Sequence, residues 1–278
     1  MDLIRAIQYF SNPFLDMFFQ LVTMIGEEIF FIFVTAIVYW CIDKKLGYRL
    51  GFVTLASACI NFGIKDMMRI PRPIGEPGIR SLRLHTAHGY SFPSGHTQNT
   101  TTLWTFFMLY IKRGWLYSVG ISVILLVGVS RLYLGVHTPA DVAGGMLIGS
   151  VWVFICRFLY ERAEKSGYNR LLFIGTAAAI LGMLVFPEEN YYKVTGALSG
   201  LLFGYIIEPR YINFEVRTSP CIQVFKVTFG LGILYLLRLL LKMVLPGMLF
   251  FDYLRYFLLI VWITIAAPYI FKNYLQNL

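Results

Sequence analysis

The four histidines, His85, His88, His96 and His137, all fall between positions 85 and 137 of a 278-residue chain, where random core histidines would scatter. Three clusters surround them. In Lys65-Asp-Met-Met-Arg-Ile-Pro-Arg72-Pro73, an ammonium and a guanidinium flank prolines that stop a helix and stiffen the turn. A planar Arg fork and a Lys point charge together suit the oxygens of a phosphate. In Tyr90-Ser-Phe-Pro93-Ser94-Gly95-His96, Ser94 is placed as a helix N-cap, so its hydroxyl and the first free N–H groups converge where an anion sits best. Gly95 permits close backbone approach there, and His96 projects from the first turn. In Ser130-Arg131-Leu-Tyr-Leu-Gly-Val-His137-Thr-Pro-Ala-Asp141, Thr138 and Pro139 read as N-cap and first helical residue. Asp141 can then reach back to His137, fixing its tautomer and leaving the other ring nitrogen as nucleophile or base. Taken singly, each cluster has a bland reading as a juxtamembrane basic patch, a plain helix cap or an interfacial His. Together they describe a phosphoryl-transfer site without a metal, since no carboxylates accompany the histidines at metal-ligand spacing.

The elements that must position these groups are membrane spans. The chain is 58% hydrophobic, 14% charged, with a mean hydropathy of +0.66, against about 25% charged residues in ordinary soluble domains. A soluble enzyme and a disordered chain are both excluded. Apolar runs predict an all-α polytopic bundle of about 8–10 spans: 6–25, 29–42, 46–64, 96–111, 115–134, 139–160, 171–186, 194–207, 222–244 and 250–271. Asn12-Pro13 interrupts the first and the second is short, which makes one of them a candidate re-entrant segment. The net charge of +9 lies between apolar runs, which speaks for topology and an anion site and against nucleic acid. Lys44, Lys45, Arg49, Lys112, Arg113, Arg157, Arg162, Lys165, Arg170, Arg210, Arg217 and Lys226 share one side if the alternation holds. That side is cytoplasmic, with both termini, and the three clusters face the opposite side. Arg238, Lys242 and Arg255 break the rule and read as snorkelling or lipid-contacting cations. Cys41, Cys59, Cys156 and Cys221 form neither a metal pattern nor a disulfide framework and read as buried apolar residues. The start lacks the order of a cleavable signal, so the first spans act as an anchor. Gly145/Gly149 and Gly196/Gly200/Gly204 recur at four-residue spacing, a pattern for close helix packing.

The three clusters fit KxxxxxxRP, PSGH and SRxxxxxHxxxD in order, and on them the chain resembles the type 2 phosphatidic acid phosphatase (PAP2) superfamily. That family includes membrane lipid phosphatases, undecaprenyl-diphosphate, glucose-6-phosphate and sphingosine-phosphate phosphatases, soluble acid phosphatases and vanadium haloperoxidases. The haloperoxidases are soluble, and this chain is not. Gly26-Glu-Glu28 and Tyr39-Trp40 are similar, more weakly, to a bacterial membrane branch. The resemblance implies a six-span catalytic core over 1–162 followed by additional C-terminal helices over 163–278, about whose role it is silent. It implies that His137 is the nucleophile, Asp141 its orienting carboxylate and His96 the general acid, with Lys65, Arg72, Ser94, Gly95 and Arg131 holding phosphate and no cofactor needed. Glu76, Arg80, Arg83, His85, His88 and Tyr90, between two motifs, are candidates for specificity. The expected activity is metal-independent hydrolysis of a lipid phosphate monoester or diphosphate at the outer face of a bacterial-type membrane. Phosphotransfer to a lipid or sugar acceptor and a lipid-binding or transport scaffold are the alternatives. The C-terminal spans are candidates for a homodimer interface.

Overall fold

The computed structural model describes residues 1–163 and 169–275, and every regular element among them is helical. The helices are α1 (Asp2–Tyr9), α2 (Pro13–Met24), α3 (Glu28–Ile37), α4 (Lys44–Met68), α5 (Gly95–Ile111), α6 (Gly114–Tyr133), α7 (Pro139–Ala163), α8 (Asn169–Gly182), α9 (Glu189–Ile207), α10 (Pro220–Val244), α11 (Leu249–Val261) and α12 (Ala267–Leu275). Five-residue π turns follow α3, α9 and α11 at Val38–Ile42, Glu208–Ile212 and Trp262–Ala266. Lys165 of the expected basic loop lies outside the described residues.

The first two expected spans are corrected. The break at Asn12 is real, because its side chain accepts from the Leu15 N–H and caps α2 with Pro13 at the first helical position. This leaves α1 as a separate amphipathic helix. Helices α2 and α3 are together apolar enough to cross a bilayer but are bent by 49°, the geometry of a broken span or of the expected re-entrant segment. Among the described residues, α6, α7, α10 and the continuous stretch Leu249–Leu275 are long and apolar enough to cross a bilayer alone, a total of four, or five with the bent pair. The remaining expected spans are helical yet fall short. The α5 helix has 17 residues and buries a run of threonines, and α9 opens on Glu189, Asn190 and Lys193.

The chain packs as two compact units, residues 1–31 with 60–159, and residues 32–59 with 160–278. In the first, Gln8 of α1 donates to the carbonyls of Arg80 (2.7 Å) and Tyr133 (2.8 Å) and accepts from the Arg80 N–H, pinning the long 69–94 loop to the end of α6. Small residues let α7 lie on α5: a methyl built on Gly145 or Gly149 would come within 2.8 Å of the Ser94 carbonyl or 2.7 Å of the Gln98 carbonyl. In the second unit, Gly200 is pressed against the Phe257 carbonyl of α11 in the same way. It also holds a polar junction around the buried Glu208, where the half-buried Lys44 Nζ meets Glu208 Oε1 (3.0 Å), Asn213 Oδ1 (3.2 Å) and the Phe214 carbonyl (2.9 Å). Arg255 is tied to Asp252 at 2.6 Å, so its placement is set by an ion pair. Cys59 and Cys156 are buried and Cys41 half-buried, but Cys221 is exposed, contrary to the expectation for a small apolar residue.

Candidate active site

The C-terminal end of α4, the N-terminal end of α5, the end of α6 and the start of α7 meet in the first unit, and each delivers a motif residue. Lys65 lies in the last turn of α4 and donates to the carbonyls of Tyr90 (2.5 Å) and Ser91 (3.4 Å). Arg72 follows in the loop, where its Nε and Nη2 bond the carbonyls of Gly89 (3.0 Å) and His88 (2.7 Å). Its Nη1 bonds the Val136 carbonyl (3.0 Å) and His137 Nε2 (2.9 Å). Burial presses this guanidinium down to about 10, opposed by the Asp141 charge, so it stays a cation at neutral pH.

His137 sits in the α6–α7 turn. Gly135, two residues earlier, has φ +64°, a conformation at little cost only for glycine, and a side chain there would strike the Arg80 carbonyl. Thr138 and Asp141 cap α7 reciprocally: the Thr138 N–H donates to Asp141 Oδ2 (2.6 Å), and Thr138 Oγ1 accepts from the Asp141 N–H (3.3 Å). The same Oδ2 lies 3.4 Å from His137 Nδ1. With Nδ1 protonated toward the carboxylate, Nε2 is the acceptor that meets Arg72. Burial lowers the His137 basicity well below the ordinary imidazole range. The hydrogen bond to Asp141 opposes this, while the charges of Arg131, Arg72 and Lys65 reinforce it.

Ser91 was not singled out in the sequence. It is fully buried, donates to Asp141 Oδ2 at 2.6 Å and lies 3.4 Å from His137 Nδ1. Its only signal was its place in the run leading to Pro93-Ser94-Gly95-His96. Thr23 was missed as well: its Oγ1 accepts from Arg131 Nη1 (2.7 Å).

Ser94 occupies the N-cap position of α5, but its hydroxyl does not bond a helix N–H as expected; it accepts from Thr97 Oγ1 (3.0 Å). The free first-turn N–H groups of α5 thus remain for another acceptor. Arg131 is completely buried, and its Nε and Nη2 have no partner; His96 Nε2 is likewise buried and unpartnered. Unpaired buried donors of this kind are costly and rare, and here they belong to a cation and an imidazole beside a helix N-terminus.

The candidates for specificity divide. Arg80 forms a two-pronged ion pair with Asp16 (2.8 and 2.6 Å), and Arg83 one with Glu27 (3.1 and 2.6 Å). His85, His88 and Tyr90 are exposed, and the last two serve the site through their backbone carbonyls, to Arg72 and Lys65. Among the described residues no group of three His, Cys, Asp or Glu is disposed to hold a metal ion.

Helix ends in a membrane protein that surround a histidine with uncompensated buried cations define a class built around anionic phosphoryl groups. The chain belongs to the PAP2 superfamily: residues 46–165 match the PAP2 superfamily model, and residues 192–276 match the PAP2 superfamily phosphatase transmembrane extension. The second match covers the C-terminal helices, on which the resemblance read from the motifs was silent. The chain is 30% identical over 232 residues to a probable sphingosine-1-phosphate phosphatase of Dictyostelium discoideum, covering 74% of this chain and 56% of that one. It is 29% identical over 195 residues to human sphingosine-1-phosphate phosphatase 2, covering 67% of this chain and 49% of that one. The chain thus spans about half the length of the curated relatives it matches. Among solved structures it is similar to LpxE of Aquifex aeolicus, with a TM-score of 0.50 and 26% identity over 56% of this chain and 93% of that one. It is a multi-pass membrane protein of all-helical fold.

Proposed function

We propose that this protein is an integral-membrane lipid phosphatase that hydrolyses lipid phosphates through a phosphohistidine. Sphingoid-base phosphates, the substrates named in its relatives, are the first candidates; phosphatidate, phosphatidylglycerophosphate and polyprenyl diphosphates are the others. The observation that carries this reading is the line Arg72 Nη1, His137 Nε2, Asp141 Oδ2 beside the unpartnered N–H groups of Arg131. A bound phosphate takes over the Arg72 and Arg131 donors and the α5 N-terminus, and so presents its phosphorus to Nε2. The N–P bond forms as the P–O ester bond breaks, and His96 gives its Nε2 proton to the departing alkoxide. The dianion favours the protonated His96 needed for this step. Neutral His96 then takes a proton from water as the water oxygen attacks phosphorus, the N–P bond breaks and inorganic phosphate leaves. Positioning and charge stabilisation are the main demands of phosphoryl transfer, and this site is organised for both.

The cytoplasmic side is assigned from charge. The helix ends opposite the site carry Lys44 and Lys45 on α4, Lys112 and Arg113 between α5 and α6, and Arg157 and Arg162 on α7. By the positive-inside rule the site opens on the extracytoplasmic face, within reach of the lipid interface. Residues 1–162 supply every catalytic group in this reading. The test is phosphate release by the detergent-purified protein with EDTA present, over the substrates above. Metal-independent release is expected, and no release from any of them by folded protein would overturn the proposal.

A further inference from the structure

A groove of about 450 Å³, within the size range of small-ligand sites, runs along α2. Its walls include Pro13, Met17, Leu21 and Met24, and Gln20, Arg83 and Asp16, the last itself paired with Arg80, add polar atoms. The apolar members do not serve the core: Met17, Leu21 and Met24 are all exposed. Arg83 has a left-handed backbone, φ +55°, an unfavourable conformation for a non-glycine residue that the surroundings must enforce. In that conformation its guanidinium reaches Glu27, in the turn between α2 and α3. Both of its bonds, from Nε and Nη2, land on a single carboxylate oxygen, Oε1. Oε2 has no protein donor, and the side chain remains 20% exposed.

The same turn touches the catalytic groups. A methyl built on Gly26 would lie 2.8 Å from His96 Cβ, so the turn is packed directly on the proposed acid. Glu27 is the next residue in that turn, and Glu27 and Arg83 are both within electrostatic range of Arg131. An acid with an open acceptor oxygen is out of place in a site for anions unless the substrate carries a cation near its ester oxygen. In a 2-amino-alkyl phosphate, the ammonium is on the carbon next to the ester carbon.

We propose that Glu27 Oε2 accepts the ammonium of a long-chain amino-alcohol phosphate, and that the α2 groove holds its single aliphatic chain. The inference deepens the lipid phosphatase reading and rests on it. It commits to a free amine and one chain, and it distinguishes this substrate from a diacyl lipid phosphate by charge as well as by bulk.

The test measures kcat/KM in mixed micelles for sphingosine 1-phosphate, for its N-acyl counterpart ceramide 1-phosphate, and for phosphatidate. Wild-type protein is expected to prefer the free amine over the N-acyl form by about tenfold or more, the worth of a charge-assisted hydrogen bond. Glu27→Gln is expected to lower that preference ratio about tenfold, whatever it does to the absolute rates. Glu27→Asp should restore part of it. Equal wild-type rates on the amine and N-acyl substrates overturn the inference without the need for a variant. A preference ratio unchanged in Glu27→Gln overturns it as well, because a merely structural pairing with Arg83 would depress all three substrates alike. Should the wild type release phosphate from phosphatidate but show no amine preference, only the role of Glu27 falls. Should it release phosphate from none of the three, the phosphatase reading and this inference fall together.

Discussion

Two charge clusters, one in each unit, are built on opposite plans. In the second unit, Glu208 is 1% exposed, and its Oε1 accepts from Lys44 Nζ (3.0 Å) and the Phe214 N–H (3.1 Å). Lys44 finds further acceptors in Asn213 and the Phe214 carbonyl and lies over the Phe214 ring. Nearby, Lys226 is capped by the carbonyls of Glu215 and Val216. Charge meets charge there, and what remains is absorbed by carbonyls. In the first unit, Arg72 and Arg131 converge on a histidine whose carboxylate partner, Asp141, is already shared with Ser91 and Thr138, and Arg131 keeps two nitrogens, Nε and Nη2, unpartnered. A closed cluster is explained by folding alone. An open one carries a cost that folding does not recover, and an anionic ligand is the economical explanation.

The contrast can be broken by experiment. The largest effect is expected from His137→Ala, which should lower kcat/KM by at least about 10³-fold while leaving the thermal unfolding transition in place; turnover retained in phosphate-release assays would remove His137 as nucleophile. Arg131→Met and Lys44→Met form the direct comparison. The first should cost about 10²- to 10³-fold in rate with stability held or raised, as it removes a donor that acts on developing charge and a buried cation that lacks partners. The second should leave the rate per folded molecule unchanged and cost about 3–5 kcal/mol in denaturant unfolding, because Glu208 is left buried and unpaired. The reverse pattern would mean that the clusters have been assigned the wrong way round. Ser91→Ala, which takes a donor from Asp141, should reduce kcat/KM by about tenfold and alter KM little.

The smallest effect concerns pH. His137 is held neutral below the ordinary imidazole range, so the acid limb of kcat/KM, after allowance for ionisation of the free phosphate ester, should lie below about pH 6.5. Protonation on that limb uses up the attacking lone pair, and activity therefore falls as pH falls. Because the Arg72 and Arg131 charges help to depress His137, Arg72→Gln should move the limb upward by up to about one unit. A limb that moves down, or stays put, would contradict the close coupling of guanidinium and imidazole.

The members of the proposed site could be picked out in the sequence because they are chemically unusual for a membrane chain: a Lys, two Arg, two His and an Asp at span ends have few bland uses. Ser91 and Thr23 were not legible, and Glu27 stood out only within Gly26-Glu-Glu28, without a task. Each is an ordinary residue until a partner 50, 108 or 56 positions away gives it a task, and single-sequence reading has no access to such pairings. The helices were readable from apolar runs, but their punctuation was not. Local periodicity does not register the 49° bend that joins two expected spans, nor the π turns after α3, α9 and α11. The Ser94 cap shows a subtler limit, since the backbone position was readable and the preference of its hydroxyl for Thr97 was not.

In the proposed reaction, the bond between Arg72 Nη1 and His137 Nε2 is a latch. The lone pair proposed to attack phosphorus is engaged by the same guanidinium that phosphate is proposed to recruit. On that proposal, an anion that recruits the guanidinium bares the nucleophile in the same movement, and recognition and reactivity are coupled.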